Sequence, residues 1–232
     1  MKPSGTFKNA RGDTVHMYVP LISENPPQVA PIMGLILDEI FSGQEYPIPE
    51  FMLKVPDQIV VDVGGNIGAS AVYFHLCLPD AKIHAYEPQK AAFEYLLKNC
   101  SQNSNMTPYN YGLSNEAGTV PIYSVNNEHW AASLNQMSDN NAIEEVEIRK
   151  AADEVKKLDH INILKIDTEG HEIPILRDIL TVHTPDILFV EYHSEQDRLA
   201  IDQLIKDTMI LGCTRAIFPN KGTNTYYNKK WL

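Results

Sequence analysis

From Gln58 onward the chain alternates short apolar runs with longer segments whose apolar residues recur every three or four positions. "IVVDV", residues 59–63, has no polar alternation, as a strand buried on both faces requires, and "ASAVYFHLCL" after it has helical spacing. The pair recurs as the strand "KIHAYE" and the helix "PQKAAFEYLLKNCSQN", expected to open at Pro88, and "TPYNYGL" reads as a third strand. "TVPIY" and "AIEEVEIRK" read as strands and "AADEVKKL" as a short helix. "INILKID", a helix after "TEGHE", "PDILFVEYH", the helix "EQDRLAIDQLIKDTMIL" and the strands "TRAIF" and "TNTYYN" complete the series. Such alternation implies right-handed crossovers and an α/β fold, a doubly wound, mostly parallel sheet covered on both faces.

Residues 1–56 lack this rhythm. "TVHMYVP" predicts a short strand, and "PQVAPIMGLILDEIFSG" a helix with Ile32, Leu35, Ile36, Ile40 and Phe41 on one side. The expected division is a small N-terminal cap, 1–56, packed on one domain, 57–232. The polar stretch 124–141 carries His129 and Trp130, either a substrate lid or ordinary surface.

Composition acts mainly by exclusion. With 19 Lys and Arg against 30 Asp and Glu the net charge is −11, and the largest basic clusters are Lys156-Lys157 and Lys229-Lys230. Neither nucleic acid nor an anionic membrane surface is an expected partner. "MKPSGTFKNARGD" lacks the apolar centre of a secretory signal, so a cytoplasmic setting is expected. Cys77, Cys100 and Cys213 are isolated, without the paired spacing of zinc ligands.

The segment "VVDVGGNIGAS" places three glycines within five positions at a strand end. That much backbone freedom lets a ligand rest against the turn and the next helix's amino end. A nicotinamide dinucleotide asks for G-x-G-x-x-G, but counting from Gly64 the third position is Asn66 and the sixth is Ala69. Asp62 would repel a pyrophosphate and suits a ligand bearing an ammonium group. The pattern D-x-G-x-N-x-G is that of S-adenosylmethionine sites. Glu87 ends the second strand, 19 residues after Gly68, where a carboxylate can accept a ribose diol, though it also begins a helix.

"VVDVGGNIGAS", "HAYEP", "NYGLSNEAG", "LKIDTEGHEIPIL" and "ILFVEYH" together resemble the FkbM family of S-adenosylmethionine-dependent methyltransferases, over about Glu45 to Phe218. The resemblance implies a class I methyltransferase fold, Rossmann-like, with seven strands and the last antiparallel. It also implies methylation of a hydroxyl on a sugar or secondary metabolite. Carried onto matching positions, Asp62, Gly64, Asn66 and Gly68 hold the methionine end of the cofactor and Glu87 the ribose. Gly112, Leu113 and Ser114 hold the adenine, with plain core as the other reading of Leu113.

Methyl transfer to an alcohol needs the acceptor oxygen aligned with the donor and a base for its proton. Asp167 closes the fourth strand of the alternating series, sharing a face with Lys165, which either neutralises it or touches substrate; Glu191 and His193 close the fifth. His193 is the first choice for base, from its ordinary pKa of about 6.5. Asp167 orients acceptor or cofactor, and His171 in "TEGHE" is the reserve. Glu169 reads as a dipole-favouring or salt-bridging residue. Asp167, Glu191 and His193 are also placed to hold Mg²⁺, but no metal is expected, because Lys165 competes for Asp167. Two other functions stay open: a nicotinamide-dependent oxidoreductase and a catalytically inactive S-adenosylmethionine-binding protein.

Overall fold

The computed structural model describes residues 5–8, 14–19, 29–124, 141–218 and 220–232; His129 and Trp130 lie outside them. An antiparallel hairpin, β1 (Gly5–Lys8) and β2 (Thr14–Met17), and the helix α1 (Val29–Phe41) come first. The alternating part follows as β3 (Ile59–Val63), α2 (Ala69–Cys77), β4 (Lys82–Tyr86), α3 (Lys90–Cys100) and β5 (Met106–Tyr109). Next are three strands of a separate sheet, β6 (Gly112–Ser114), β7 (Gly118–Ser124) and β8 (Asn141–Lys150). Then come α4 (Ala151–Val155), β9 (Ile163–Ile166), α5 (Glu172–Ile179), β10 (Ile187–Tyr192), α6 (Glu195–Ile205), β11 (Met209–Phe218) and β12 (Lys221–Asn228).

The main sheet has seven strands in the order β11-β12-β10-β9-β3-β4-β5, and β12 runs antiparallel to both neighbours. This is the mostly parallel, doubly wound class I methyltransferase arrangement, with the last strand reversed. The chain leaves β3 for β4 on one side and later returns as β9 on the other, so the crevice opens at the carboxyl ends of β3 and β9. In that register Asp62 lies directly beside Lys165.

Apolar side chains from both sheet faces form two clusters. Val60, Ile83 and Phe189 pack with Phe74 of α2 on one face, joined there by Met17, Leu37 and Phe41. Val61, Leu164 and Leu188 pack with Ile175 and Ile201 on the other. The residues before β3 thus share the main domain's core. On α1 the buried stripe is Leu37, Ile40 and Phe41, while Leu35 and Ile36, expected on that side, are exposed.

The third strand is shorter than "TPYNYGL" promised. Asn110 Nδ2 donates to the carbonyls of Glu87 (3.0 Å) and Pro88 (3.1 Å), which ends the ladder at Tyr109. Gly112–Ser114 then pairs with β8. Helix α3 opens at Lys90 rather than Pro88, because the Glu87 carboxylate takes the Gln89 N–H at 2.8 Å. Among the described residues no helix is long and apolar enough to cross a membrane.

Candidate functional site

The turn after β3 is set by crowding against its neighbour strand. Gly64 has φ +82°, and a Cβ there would lie 1.8 Å from the Asp167 carbonyl oxygen. Only glycine permits that approach, which brings the ends of β3 and β9 together. Asn66 (φ +47°) and Gly68 (φ +92°) continue the turn, and the N–H groups of Gly64 and Gly65 both donate to the Tyr86 carbonyl. A cavity of about 780 Å³ opens over this turn, lined by Gly64, Asn66, Glu87, Leu113, Asp167 and Glu191 among others. Its size falls within the range of small-molecule sites.

Asp62 and Lys165 form the floor beneath it. Asp62 is fully buried; its Oδ2 accepts from Ser70 Oγ at 2.5 Å, and Lys165 Nζ stands 3.1 Å from its Oδ1. Lys165 also donates to the Gly64 carbonyl at 2.7 Å and lies 3.6 Å from Asp167 Oδ2. Burial alone would lower the lysine's pKa, but Asp62 and Asp167 raise it above the ordinary value, so the ammonium persists. Asp62 does not line the cavity; its charge lies beneath the turn, where Lys165 pairs with it.

Glu87 does line it. Its carboxylate accepts the Asn66 N–H (2.9 Å) and the Gln89 N–H (2.8 Å), fixing it against the turn, and burial pushes its pKa up to about 7 despite those bonds. Each oxygen keeps a lone pair for a further donor. Gly112 and Leu113 line the cavity, whereas Ser114 is turned away, its hydroxyl 2.8 Å from His171 Nε2. His171 does not line the cavity either, and burial lowers its pKa. Both depart from their expected places, Ser114 at the adenine and His171 as reserve base, because each satisfies the other.

The largest correction concerns His193. Its Nε2 lies 2.9 Å from Glu191 Oε2 and 3.6 Å from Glu172 Oε1. Burial works against the charged ring, but Glu172 and Glu191 outweigh it and raise the pKa to about 10. An imidazolium at neutral pH has no lone pair to accept a proton, and the ring does not line the cavity. Glu191 does, and burial followed by the charge of Asp167 pushes its pKa up to about 8. Asp167 lies below the ordinary carboxylate range: burial works against its charge, but Lys165 and a hydrogen bond with Glu191 prevail. Two neighbouring carboxyls with pKa values driven apart is the arrangement that separates acid from base roles.

Lys221 closes this group, 3.2 Å from both Glu169 Oε2 and Glu191 Oε1. Glu169, Glu191 and His193 each offer an atom within 4.8 Å of the others, a grouping compatible with a metal ion. It contains Glu169 where the sequence pointed to Asp167. The Lys221 ammonium bridging two of its carboxylates, with a protonated imidazole as the third member, fits a salt-bridged cluster better than a cation site.

Two features escaped the sequence, the Glu172 clamp and the Arg215 latch. Glu172 accepts the N–H of Thr168 (2.8 Å) and Gly170 (3.0 Å), clamping a turn with Glu169 at φ +55°; an acid four residues after Thr168, in a helix's first turn, was its only signal. Pro174 falls in that same first turn of α5, where it is tolerated. Arg215 on β11 reaches Glu39 Oε1 of α1 at 2.6 Å and also pairs with Glu45, which accepts from Thr223 as well. That latch holds α1 over the cavity, whose lining includes Glu39, Glu45 and Tyr46. Nothing local in the sequence announces pairs so far apart.

A family model described as the methyltransferase FkbM domain matches residues 62–209. The chain is 26% identical over 166 residues to the hexuronic acid methyltransferase AglP of Haloferax volcanii, covering 66% of this chain and 64% of that protein. It is 27% identical over 182 residues to the methyltransferase sdnD of Sordaria araneosa, covering 64% and 69%. This chain thus spans about two thirds of the length of these relatives. Among solved structures, Aeropyrum pernix fibrillarin in complex with natively bound S-adenosyl-L-methionine superposes with a TM-score of 0.51 at 13% identity, covering 83% of this chain and 74% of that one. That likeness concerns the fold. The turn after β3, the strand ends around it and the family match over most of the chain make it a member of the FkbM family of methyltransferases.

Proposed function

We propose that the protein transfers a methyl group from S-adenosylmethionine to a hydroxyl oxygen of a small molecule, with Glu191 as base. The observation that carries this reading is the Asp167–Glu191 pair, which shares one cavity with the glycine turn and Glu87. The residues fit the donor: Glu87 keeps lone pairs for the ribose diol, Leu113 offers an apolar face to adenine, and the Gly64–Gly68 turn allows close approach of its methionine end. When bound, S-adenosylmethionine supplies a sulfonium-activated methyl group. With the donor held there, Glu191 would take the acceptor's hydroxyl proton as its oxygen took the methyl group, the electron pair of the C–S bond remaining with the departing thioether.

Glu191 suits that role because a base is most effective with its pKa near the working pH. Asp167, kept ionised by Lys165, orients the hydroxyl. Tyr46 lines the same cavity, and burial, then the Asp167 charge, raises its pKa, so the phenol stays a neutral donor. His193 acts through Glu191 as a positioning cation. A nucleic-acid acceptor is disfavoured by the net charge of −11.

The test is transfer from methyl-¹³C S-adenosylmethionine to a panel of alcohols, sugars and amines, with and without a chelator. Methyl ether carbon resonances, undiminished by chelation, are expected. Label found only on nitrogen, or activity that chelation abolishes and Mg²⁺ restores, would overturn the reading.

A further inference from the structure

Three large apolar side chains at the cavity are open to solvent: Leu35 is 64% exposed, Ile36 42% and Phe218 62%. Leu35 and Ile36 lie on α1, and Phe218 ends β11. The same two elements are tied by the Arg215–Glu39 ion pair, so the apolar lip is held in place rather than scattered over the surface. Single exposed apolar residues need no explanation, but three around the mouth of one cavity do.

The charges inside point the same way. The cations of the described lining are Lys165 and Lys221, and each already faces two carboxylates: Asp62 and Asp167 for the first, Glu169 and Glu191 for the second. An incoming carboxylate would find no free ammonium in that lining and would meet the Asp167 carboxylate instead. A sugar acid is therefore penalised twice, by repulsion inside and by wetting of the lip.

Resting on the proposed methyl transfer, we infer that the acceptor is an uncharged alcohol with an apolar body, such as a terpenoid-like or aliphatic ring alcohol. Its hydroxyl reaches Glu191 while its hydrocarbon lies against Leu35, Ile36 and Phe218. This sets the chain apart from its hexuronic acid methyltransferase relative in acceptor class.

The test is calorimetric titration of borneol, methyl glucoside and glucuronate into the complex with S-adenosylhomocysteine. Borneol is expected to bind at least about tenfold tighter than glucuronate, a ratio matching burial of about two methylene groups. The double variant Leu35→Ala/Phe218→Ala should lose most of that preference and keep its S-adenosylhomocysteine affinity. Equal or tighter binding of glucuronate, no detectable binding of borneol, or an unchanged borneol affinity in the double variant would overturn the inference. Failure to bind S-adenosylhomocysteine at all would instead overturn the cofactor assignment beneath it.

Discussion

Lys165 and Asp62 face each other across adjacent strands, with Nζ 3.1 Å from Oδ1 and both side chains out of solvent. The acid that the glycine motif places before its turn therefore steadies the turn through a lysine on another strand. Removing one partner strands a buried charge. Lys165→Met or Asp62→Leu alone should cost about 3–5 kcal/mol of unfolding free energy, and the double variant substantially less than the sum. Urea titration of all three proteins measures this; additive losses would mean the two charges do not depend on one another.

Gly64 provides a sharper steric test. Its positive φ and the Asp167 carbonyl where a Cβ would sit predict that Gly64→Ala loses about 2–3 kcal/mol. Gly118→Ala is the control, because no atom lies within 4 Å of its Cβ position, and it should stay within about 0.5 kcal/mol of wild type. Equal melting temperatures for the two variants would show that the turn yields freely.

The fold was largely legible because buried parallel strands read as uninterrupted apolar runs, and "IVVDV", "INILKID" and "PDILFVEYH" all became central strands. The separate sheet was not, since β6 leaves the expected third strand through a side-chain bond from Asn110. In the site, Gly64 and Glu87, which local pattern singles out, both line the cavity. Roles fixed by long-range charge were not legible: His193 was a base by its ordinary pKa and is a cation because Glu172, on another element, stands beside it.

Titration of these groups sets the pH dependence of stability. Folding raises Glu87 from an ordinary 4.5 to about 7, Glu191 from 4.5 to about 8 and His193 from 6.5 to about 10. Each binds its proton more tightly when folded, so its contribution is complete below the unfolded value and is lost as pH rises through the folded one. Asp167 and Glu172 are depressed and act oppositely, losing their contribution only as pH falls through their lowered values. Melting temperature should therefore decline from about pH 4.5 to about pH 10, and His193→Gln should flatten the upper part of that decline. A profile rising over this interval would contradict the protonated state assigned to His193.

Catalysis separates the same residues. Glu191→Gln should lower kcat about 10²- to 10⁴-fold, as loss of a general base does. His193→Gln should keep much of kcat but shift the rising limb of the pH–rate profile, otherwise near pH 8, to higher pH, because the lost cation had been lowering the Glu191 pKa. Steady-state kinetics across pH decides it. A His193→Gln enzyme as impaired as Glu191→Gln, with its limb unmoved, would return the role of base to the histidine.

The most direct test of the central assignment is calorimetric titration of S-adenosylmethionine and of NAD into wild-type protein and into Glu87→Gln. Glu87 accepts the N–H groups of Asn66 and Gln89 and lines the cavity, and the proposed function has it take the donor's ribose hydroxyls. The expected result is saturable one-to-one binding of S-adenosylmethionine to the wild type, no heat with NAD, and an affinity weakened about tenfold to a hundredfold in Glu87→Gln. Binding of NAD in place of S-adenosylmethionine, or wild-type affinity in Glu87→Gln, would contradict it.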